Sequence, residues 1–323
     1  MALKKEDFTS FQKIFDAIVD NVESTLFGKR DVIQLVLAAM VSEGHVLLED
    51  YPGTGKTALA RALSQSIAGS SSRIQFTPDL LPGDVTGISV YRPKKEAFEF
   101  IPGPIFANVV LADEINRASP KTQAALLEAM EEANVTVDGV TRSAGKPFLV
   151  IATQNPIEQA GTYRLPEAQL DRFMLKTSVG YPDAASTIRI LEGTAGVGGE
   201  LKSVASLADV QKMSAIARAV HTSPLVLDYV VRIIEATRPD KAPQIRMGSS
   251  VRGAKNIVKV AKAWAVSQGR VFITPDDIKA LAGPVLAHRL VLTAEAEFDE
   301  IKAEALIAQI LLDVVPPTGD FSQ

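Results

Sequence analysis

The chain has no cysteine, one tryptophan and three histidines, His45, His221 and His288, among 323 residues. Without cysteine there can be no disulfide, no thiolate nucleophile and no sulfur ligand for zinc, and histidines this far apart in sequence make no recognisable metal-ligand spacing. Long apolar runs are also missing. The longest near the N-terminus, residues 32–41, is interrupted by Gln34 and is about half of what a bilayer span requires. The opening residues, Met1-Ala2-Leu3-Lys4-Lys5-Glu6-Asp7, mix both signs of charge with no apolar stretch of signal-peptide length behind them, so a cytoplasmic protein without direct membrane insertion is expected. Positive charge is not in excess either: 34 Lys and Arg against 38 Asp and Glu leave a net charge of −4. No positive field would hold a phosphate backbone against salt, and no nucleic-acid partner is expected.

What the chain does have is an ordinary globular balance, 46% hydrophobic and 22% charged, enough for one large or two medium domains. Phe8, Phe11, Ile14, Phe15, Ile18 and Val22 recur at three- and four-residue steps, which predicts an amphipathic helix within residues 1–24 packing on the domain that follows. Short apolar runs then alternate with helical patterns: Val46-Leu47-Leu48, Arg73-Ile74-Gln75-Phe76, Val109-Val110-Leu111-Ala112 and Phe148-Leu149-Val150-Ile151-Ala152. That alternation predicts an α/β core over residues 25–192, a parallel sheet with helices on both faces. Residues 86–100 and the Asp138-Gly139 turn read as hairpins inserted into it. Four glycines within residues 193–199 suggest a flexible linker, placed at 193–204, and residues 205–323 read as a helical domain, with Thr274-Pro275-Asp276-Asp277 as one helix start.

Three motifs carry chemistry. Asp50-Tyr51-Pro52-Gly53-Thr54-Gly55-Lys56-Thr57 follows a buried strand and opens a helix at Ala58, the context of a phosphate-binding loop. Its backbone N–H groups would turn around phosphates, Lys56 would meet the β/γ-phosphates and the Thr57 hydroxyl would meet Mg²⁺. Asp50 stands where the general motif has its first glycine. G-x-G-K-T arises by chance in such a chain on the order of one time in a hundred, and the strand context weakens the alternative of a mere glycine-rich turn. About 55 residues further on, Val109-Val110-Leu111-Ala112-Asp113-Glu114 ends an apolar strand in two carboxylates, Asp113 for Mg²⁺ and Glu114 to polarise the attacking water. A strand ending in two acids is often only a solvated edge; its order after the loop is what points to chemistry. The third strand ends at Asn155-Pro156, where an amide could sense water or a γ-phosphate, although Asn-Pro is also a common turn.

Together with Phe76-Thr77-Pro78-Asp79-Leu80-Leu81-Pro82-Gly83-Asp84, Gly103-Pro104-Ile105-Phe106, Asp113-Glu114-Ile115-Asn116-Arg117-Ala118, Ala152-Thr153-Gln154-Asn155-Pro156 and Leu165-Pro166-Glu167-Ala168-Gln169-Leu170-Asp171-Arg172-Phe173, the loop resembles the signature set of the MoxR family of AAA+ ATPases, over most of the chain from about Phe27 to His288. In that family the missing first glycine of the loop is normal; Arg164 departs from the pattern, which has an apolar residue or proline there. The resemblance implies a five-stranded parallel sheet followed by a helical lid. It also implies ATP hydrolysis with Mg²⁺ in a hexameric ring, acting on a client or on a von Willebrand factor A domain partner. It assigns Asn155 the sensor-one role, Arg172 an arginine finger reaching into a neighbour's ATP, and Arg252, within Gly248-Ser249-Ser250-Val251-Arg252, the sensor-two role. Adenine would sit near Phe27 and Gly28, and the hairpins would face a pore. Each arginine also has a plainer reading, an internal salt bridge or a solvated surface charge, and Phe27 could be core. Three rivals stay open: a magnesium-chelatase-like ATPase subunit, a monomeric P-loop kinase or ATPase, and a nucleotide-responsive scaffold.

Overall fold

A strand sends alternate side chains to opposite faces, so a strand covered on both sides is apolar at nearly every position. The computed structural model describes residues 5–155, 163, 165–192 and 201–321. In chain order the first part reads α1 (Lys5–Glu23), α2 (Arg30–Val41), β1 (Val46–Glu49), α3 (Lys56–Ser66), β2 (Ser71–Gln75), α4 (Pro82–Thr86), β3 (Gly87–Arg92), β4 (Ala97–Pro102), β5 (Val109–Asp113), α5 (Pro120–Glu132), β6 (Asn134–Val137), β7 (Val140–Ser143), β8 (Leu149–Gln154), α6 (Glu167–Leu170), β9 (Leu175–Thr177) and α7 (Ala184–Leu191). Five strands form one sheet in the order β2-β5-β8-β1-β9, and every neighbouring pair is parallel. Val46, Leu48, Val109, Leu111, Leu149 and Ile151 face one apolar cluster, while Leu47, Val110, Ala112, Val150 and Ala152 face the other. The continuous apolar runs therefore serve two cores at once. The carboxyl ends of β1, β5 and β8 come out on one edge, with Glu49 beside Gln154 and Gln75 beside Asp113. This is the edge where open parallel sheets bind ligands.

The amphipathic helix is α1, with Phe11, Phe15, Ile18, Val19 and Val22 buried. It packs on α2 and α3, and also on the lid helices α8 (Leu207–Arg218) and α10 (Val251–Ser267). One apolar cluster consequently runs from the sheet face through α1 into the C-terminal region. Both inserted hairpins are present, β3 with β4 and β6 with β7, the second turning at Asp138-Gly139. The glycine-rich stretch at 193–200 lies outside the described residues. Just beyond it the chain is anchored, since the N–H groups of Val204 and Ala205 donate to the Ser66 carbonyl at 2.9 and 3.0 Å.

The lid also contains α9 (Pro224–Ala236), α11 (Pro275–Leu286), α12 (Ala294–Phe298) and α13 (Ala303–Asp313), with one short antiparallel ladder between β10 (Ile245–Met247) and β11 (Val291–Leu292). Helix α11 starts where the sequence placed it: Pro275 occupies the first turn, and Asp277 accepts the Thr274 N–H at 2.8 Å.

Candidate functional site

Between β1 and α3 the chain must reverse within six residues and leave its N–H groups pointing inward. Gly53 and Gly55 make this possible at φ 83° and 95°, values that a side chain would strain. Above Gly53 the space is open, since an added Cβ would meet nothing within 4 Å. The free N–H groups of the first turn of α3 face that space, a ready anion site. Lys56 folds back over the loop, donating to the Tyr51 carbonyl at 2.8 Å and the Asp50 carbonyl at 3.3 Å. Asp50 is buried, and its carboxylate accepts the N–H groups of Val179 and Gly180 at 2.6 and 2.9 Å. An acid in place of the first glycine thus ties the loop to the chain leaving β9.

The two acids stand at the end of β5. Asp113 accepts the Thr153 hydroxyl at 2.7 Å and the Arg73 guanidinium at 2.6 Å. Glu114 turns off the strand at φ 57°, a left-handed conformation rare for a residue with a side chain and concentrated at functional sites. Its N–H donates to Thr153 Oγ1 at 2.8 Å, and its carboxylate accepts Gln75 Nε2 at 2.8 Å and Arg117 Nη1 at 3.0 Å. Thr153, buried on β8, therefore bridges both acids through a single hydroxyl. A cleft of about 440 Å³ is lined by Pro52, Gly53, Thr54, Gly55, Lys56 and Thr57 together with Arg73, Gln75, Asp113, Glu114, Thr153 and Asn155. The exposed Thr57 hydroxyl and one Asp113 carboxylate, completed by phosphate oxygens and water, are the sparse oxygen set that suits Mg²⁺. Among the described residues no group of three or more His, Cys, Asp or Glu could hold a metal by itself.

Ala58 lies beneath the loop in the first turn of α3 and does not line the cleft. Phe27 and Gly28 do not line it either. Phe27 is buried with the Arg189 guanidinium 3.8 Å above its ring, and Gly28 lies against Ser186 of α7. Arg164 lies outside the described residues. Arg172 and Arg252 are absent from the cleft but close to one another, because both reach Glu131 at the end of α5, at 3.1 and 2.7 Å. With Lys255 and Lys259 they line a second cleft of about 240 Å³. Behind them Asp171 lies 3.8 Å from Arg252 Nε, accepts the Ser250 hydroxyl at 3.4 Å and pairs with Arg289 at 2.9 Å. Burial pulls the Arg289 guanidinium down to about 10 against the opposing pull of Asp171, which leaves it charged at neutral pH.

The turn carrying Glu131 is fixed from below by His45. Its Nε2 donates to the Met130 carbonyl at 2.9 Å and its Nδ1 accepts the Val150 N–H at 3.0 Å, which defines a neutral ring. Burial lowers its pKa to about 4.

Sequence reasoning missed Arg73, Gln75, Thr153, Glu131 and Arg289. For the first three a signal existed, polar side chains within the runs that form sheet strands, two on β2 and one on β8. For Glu131 and Arg289 there was none, because a charge at a helix end reads as solvated.

Residues 45–175 match the model of the ATPase family associated with various cellular activities, and residues 238–310 match the AAA lid domain. The uncharacterized protein YeaC of Bacillus subtilis is 47% identical over 93% of this chain and 93% of its own. The chaperone MoxR1 of Mycobacterium tuberculosis is 40% identical over 92% of this chain and 80% of its own. Among solved structures, a Cytophaga hutchinsonii protein put forward as an ATPase superposes with a TM-score of 0.91 at 37% identity, covering 97% of this chain and 98% of that one. No described helix is long and apolar enough to cross a membrane.

Proposed function

This chain belongs to the MoxR family of AAA+ ATPases, and from that premise we propose that it hydrolyses ATP at a site shared between neighbouring copies and uses the cycle to remodel or mature a partner protein. The observation that carries the reading is the separation of charges: the cleft holds the loop, Asp113 and Glu114, whereas Arg172 and Arg252 converge on Glu131 outside it. Those arginines meet a nucleotide only if it belongs to another chain. Such a head-to-tail contact repeats and closes as a ring, proposed as a cytoplasmic hexamer.

In the proposed reaction the loop N–H groups and Lys56 hold the phosphates, with Lys56 leaving the carbonyls of Asp50 and Tyr51. Mg²⁺, held by Thr57 and Asp113, would neutralise phosphate charge. Arg73 then yields Asp113, and Gln75 and Arg117 yield Glu114, which takes the proton of the attacking water. Thr153 keeps both acids in register, and the Asn155 amide faces the γ-phosphate. Arg172 and Arg252 of the adjacent copy neutralise the charge that grows on the transferred group. Exposed Ile88, Tyr91 and Phe98 on the β3–β4 hairpin offer apolar contact to a client. A relative named as a chaperone supports that use. A von Willebrand factor A domain protein is the partner class proposed from the family resemblance.

The test compares Lys56→Ala and Arg172→Ala with the wild type in two assays, titration of a fluorescent ATP analogue and steady-state phosphate release. Lys56→Ala is expected to lose binding, and Arg172→Ala to bind normally while losing about a thousandfold in turnover. Normal turnover in Arg172→Ala would instead favour a monomeric P-loop enzyme.

A further inference from the structure

Arg289 ends the turn Ala287–Arg289 that follows α11 in the lid, yet its side chain is 1% exposed because it inserts into the core. A guanidinium has five N–H donors in a fixed plane, and here all five are used. Nε donates to Asp171 Oδ1 at 2.9 Å. Nη2 donates to the Asp171 carbonyl at 3.2 Å and the Phe173 carbonyl at 2.6 Å. Nη1 faces three partners, the Met174 carbonyl at 3.4 Å, the Val285 carbonyl, and His288 Nε2 at 2.7 Å. Four of these six partners lie on residues 171, 173 and 174, so one buried side chain fixes the backbone on both sides of Arg172.

The same guanidinium supports the second arginine. The first turn of α10 lies directly on its aliphatic stem, where a Cβ added at Gly253 would stand 3.1 Å from Arg289 Cδ. Asp171, paired with Arg289, also accepts the Ser250 hydroxyl at the start of that helix. Among the described residues the Arg172 head is bound only through the half-exposed Glu131 in front of this anchor, so it can leave while its base stays fixed.

We infer that Arg289 is a positioning residue for Arg172: a lid side chain that holds the finger-bearing segment in place, so that a subunit can complete its neighbour's site only while its own lid is docked. The inference rests on the reading that Arg172 acts on the adjacent copy. It predicts a directional defect. Loss of Arg289 should damage what a subunit gives to its neighbour and spare what it receives.

The experiment uses two parents, Lys56→Ala, which can only donate arginines, and Arg172→Ala, which can only accept them. Mixed together, they should release phosphate above the sum of the separate proteins. If they do not, the shared-site reading fails, whatever Arg289 does. Arg289→Met is then added to each parent in turn. In the donor it should lower the activity of the mixture at least about tenfold; in the acceptor it should change it less than about twofold, with affinity for a fluorescent ATP analogue unchanged. Equal losses on both sides would make Arg289 a general structural residue, and no loss on either side would make it irrelevant to Arg172; each overturns the proposal. If the methionine variant fails to bind nucleotide, Arg289→Lys, which keeps the charge and loses the planar fork, goes through the same two mixtures under the same criteria.

Discussion

In the nucleotide cleft the arginines that meet the acids are loosely held: Arg73 and Arg117 are 53% and 42% exposed where they contact Asp113 and Glu114. In the second cluster the anchoring Arg289 is 1% exposed where it contacts Asp171. Exposed ion pairs are worth about 0–1 kcal/mol, whereas breaking a buried one costs about 3–5 kcal/mol because a charge is left without a partner. In the proposed cycle the first cluster lets go when phosphate, metal and water arrive, and the second holds. That difference suits a proposed site in which one half must be vacated at each turnover and the other must present two guanidinium groups in a constant position.

The strongest way to sharpen this contrast acts on the releasing side. Glu114→Gln keeps the shape and the Gln75 and Arg117 neighbours but cannot take a proton, so ATP binding should persist while phosphate release falls at least about a hundredfold, roughly 3 kcal/mol. Equal turnover of variant and wild type would remove Glu114 from the chemistry.

The cleft also has one holding acid, Asp50. In Asp50→Ala the N–H groups of Val179 and Gly180 lose their acceptor, and urea unfolding should show a loss of about 2 kcal/mol. A midpoint equal to the wild type would mean that Asp50 does not anchor the loop, and the contrast between the two regions would widen.

These two acids also mark how far the sequence could be read. Lys56, Asp113, Glu114 and Asn155 were legible because each follows or ends a strand of a parallel sheet, so local order in the chain already placed them on one edge. Four of the sheet strands, the two hairpins and the helical character of the C-terminal region were legible for the same reason, from periodicity and turn chemistry within short windows; the fifth strand came only with the resemblance, because β9 is three residues long. Asp50 could be read only as an absent glycine, because its partners lie about 130 residues away. Phe27 and Gly28 were given an adenine-side role by resemblance alone, and the structure packs them against α7. The cluster around Glu131 joins α5, the 171–174 segment, α10 and the end of α11, four segments with no shared local pattern. The bridging of α1 onto the lid was missed because a helical apolar stripe reports that a face is buried and not what buries it.

The smallest effect concerns His45, which supports Glu131 from beneath. Its pKa is lowered to about 4 in the folded chain, against about 6.5 when unfolded. Between those values the unfolded chain binds the extra proton, so the contribution is fully present above about pH 6.5 and is lost as pH falls towards 4. Burial lowers His288 in the same direction. Unfolding free energies from urea titrations at pH 7 and 5.5 should therefore differ by at least about 1 kcal/mol in favour of pH 7; no difference would mean that the His45 ring is not held neutral by its two backbone partners.

The central claim, that one copy supplies the cleft and the next supplies Arg172, is tested most directly by phosphate release from mixtures of Lys56→Ala and Arg172→Ala across the whole range of mole fractions. The account predicts negligible release at both ends and a maximum between them, because only a mixed contact pairs an intact loop with an intact arginine. A flat baseline across all fractions, with both variants otherwise assembling like the wild type, would contradict it.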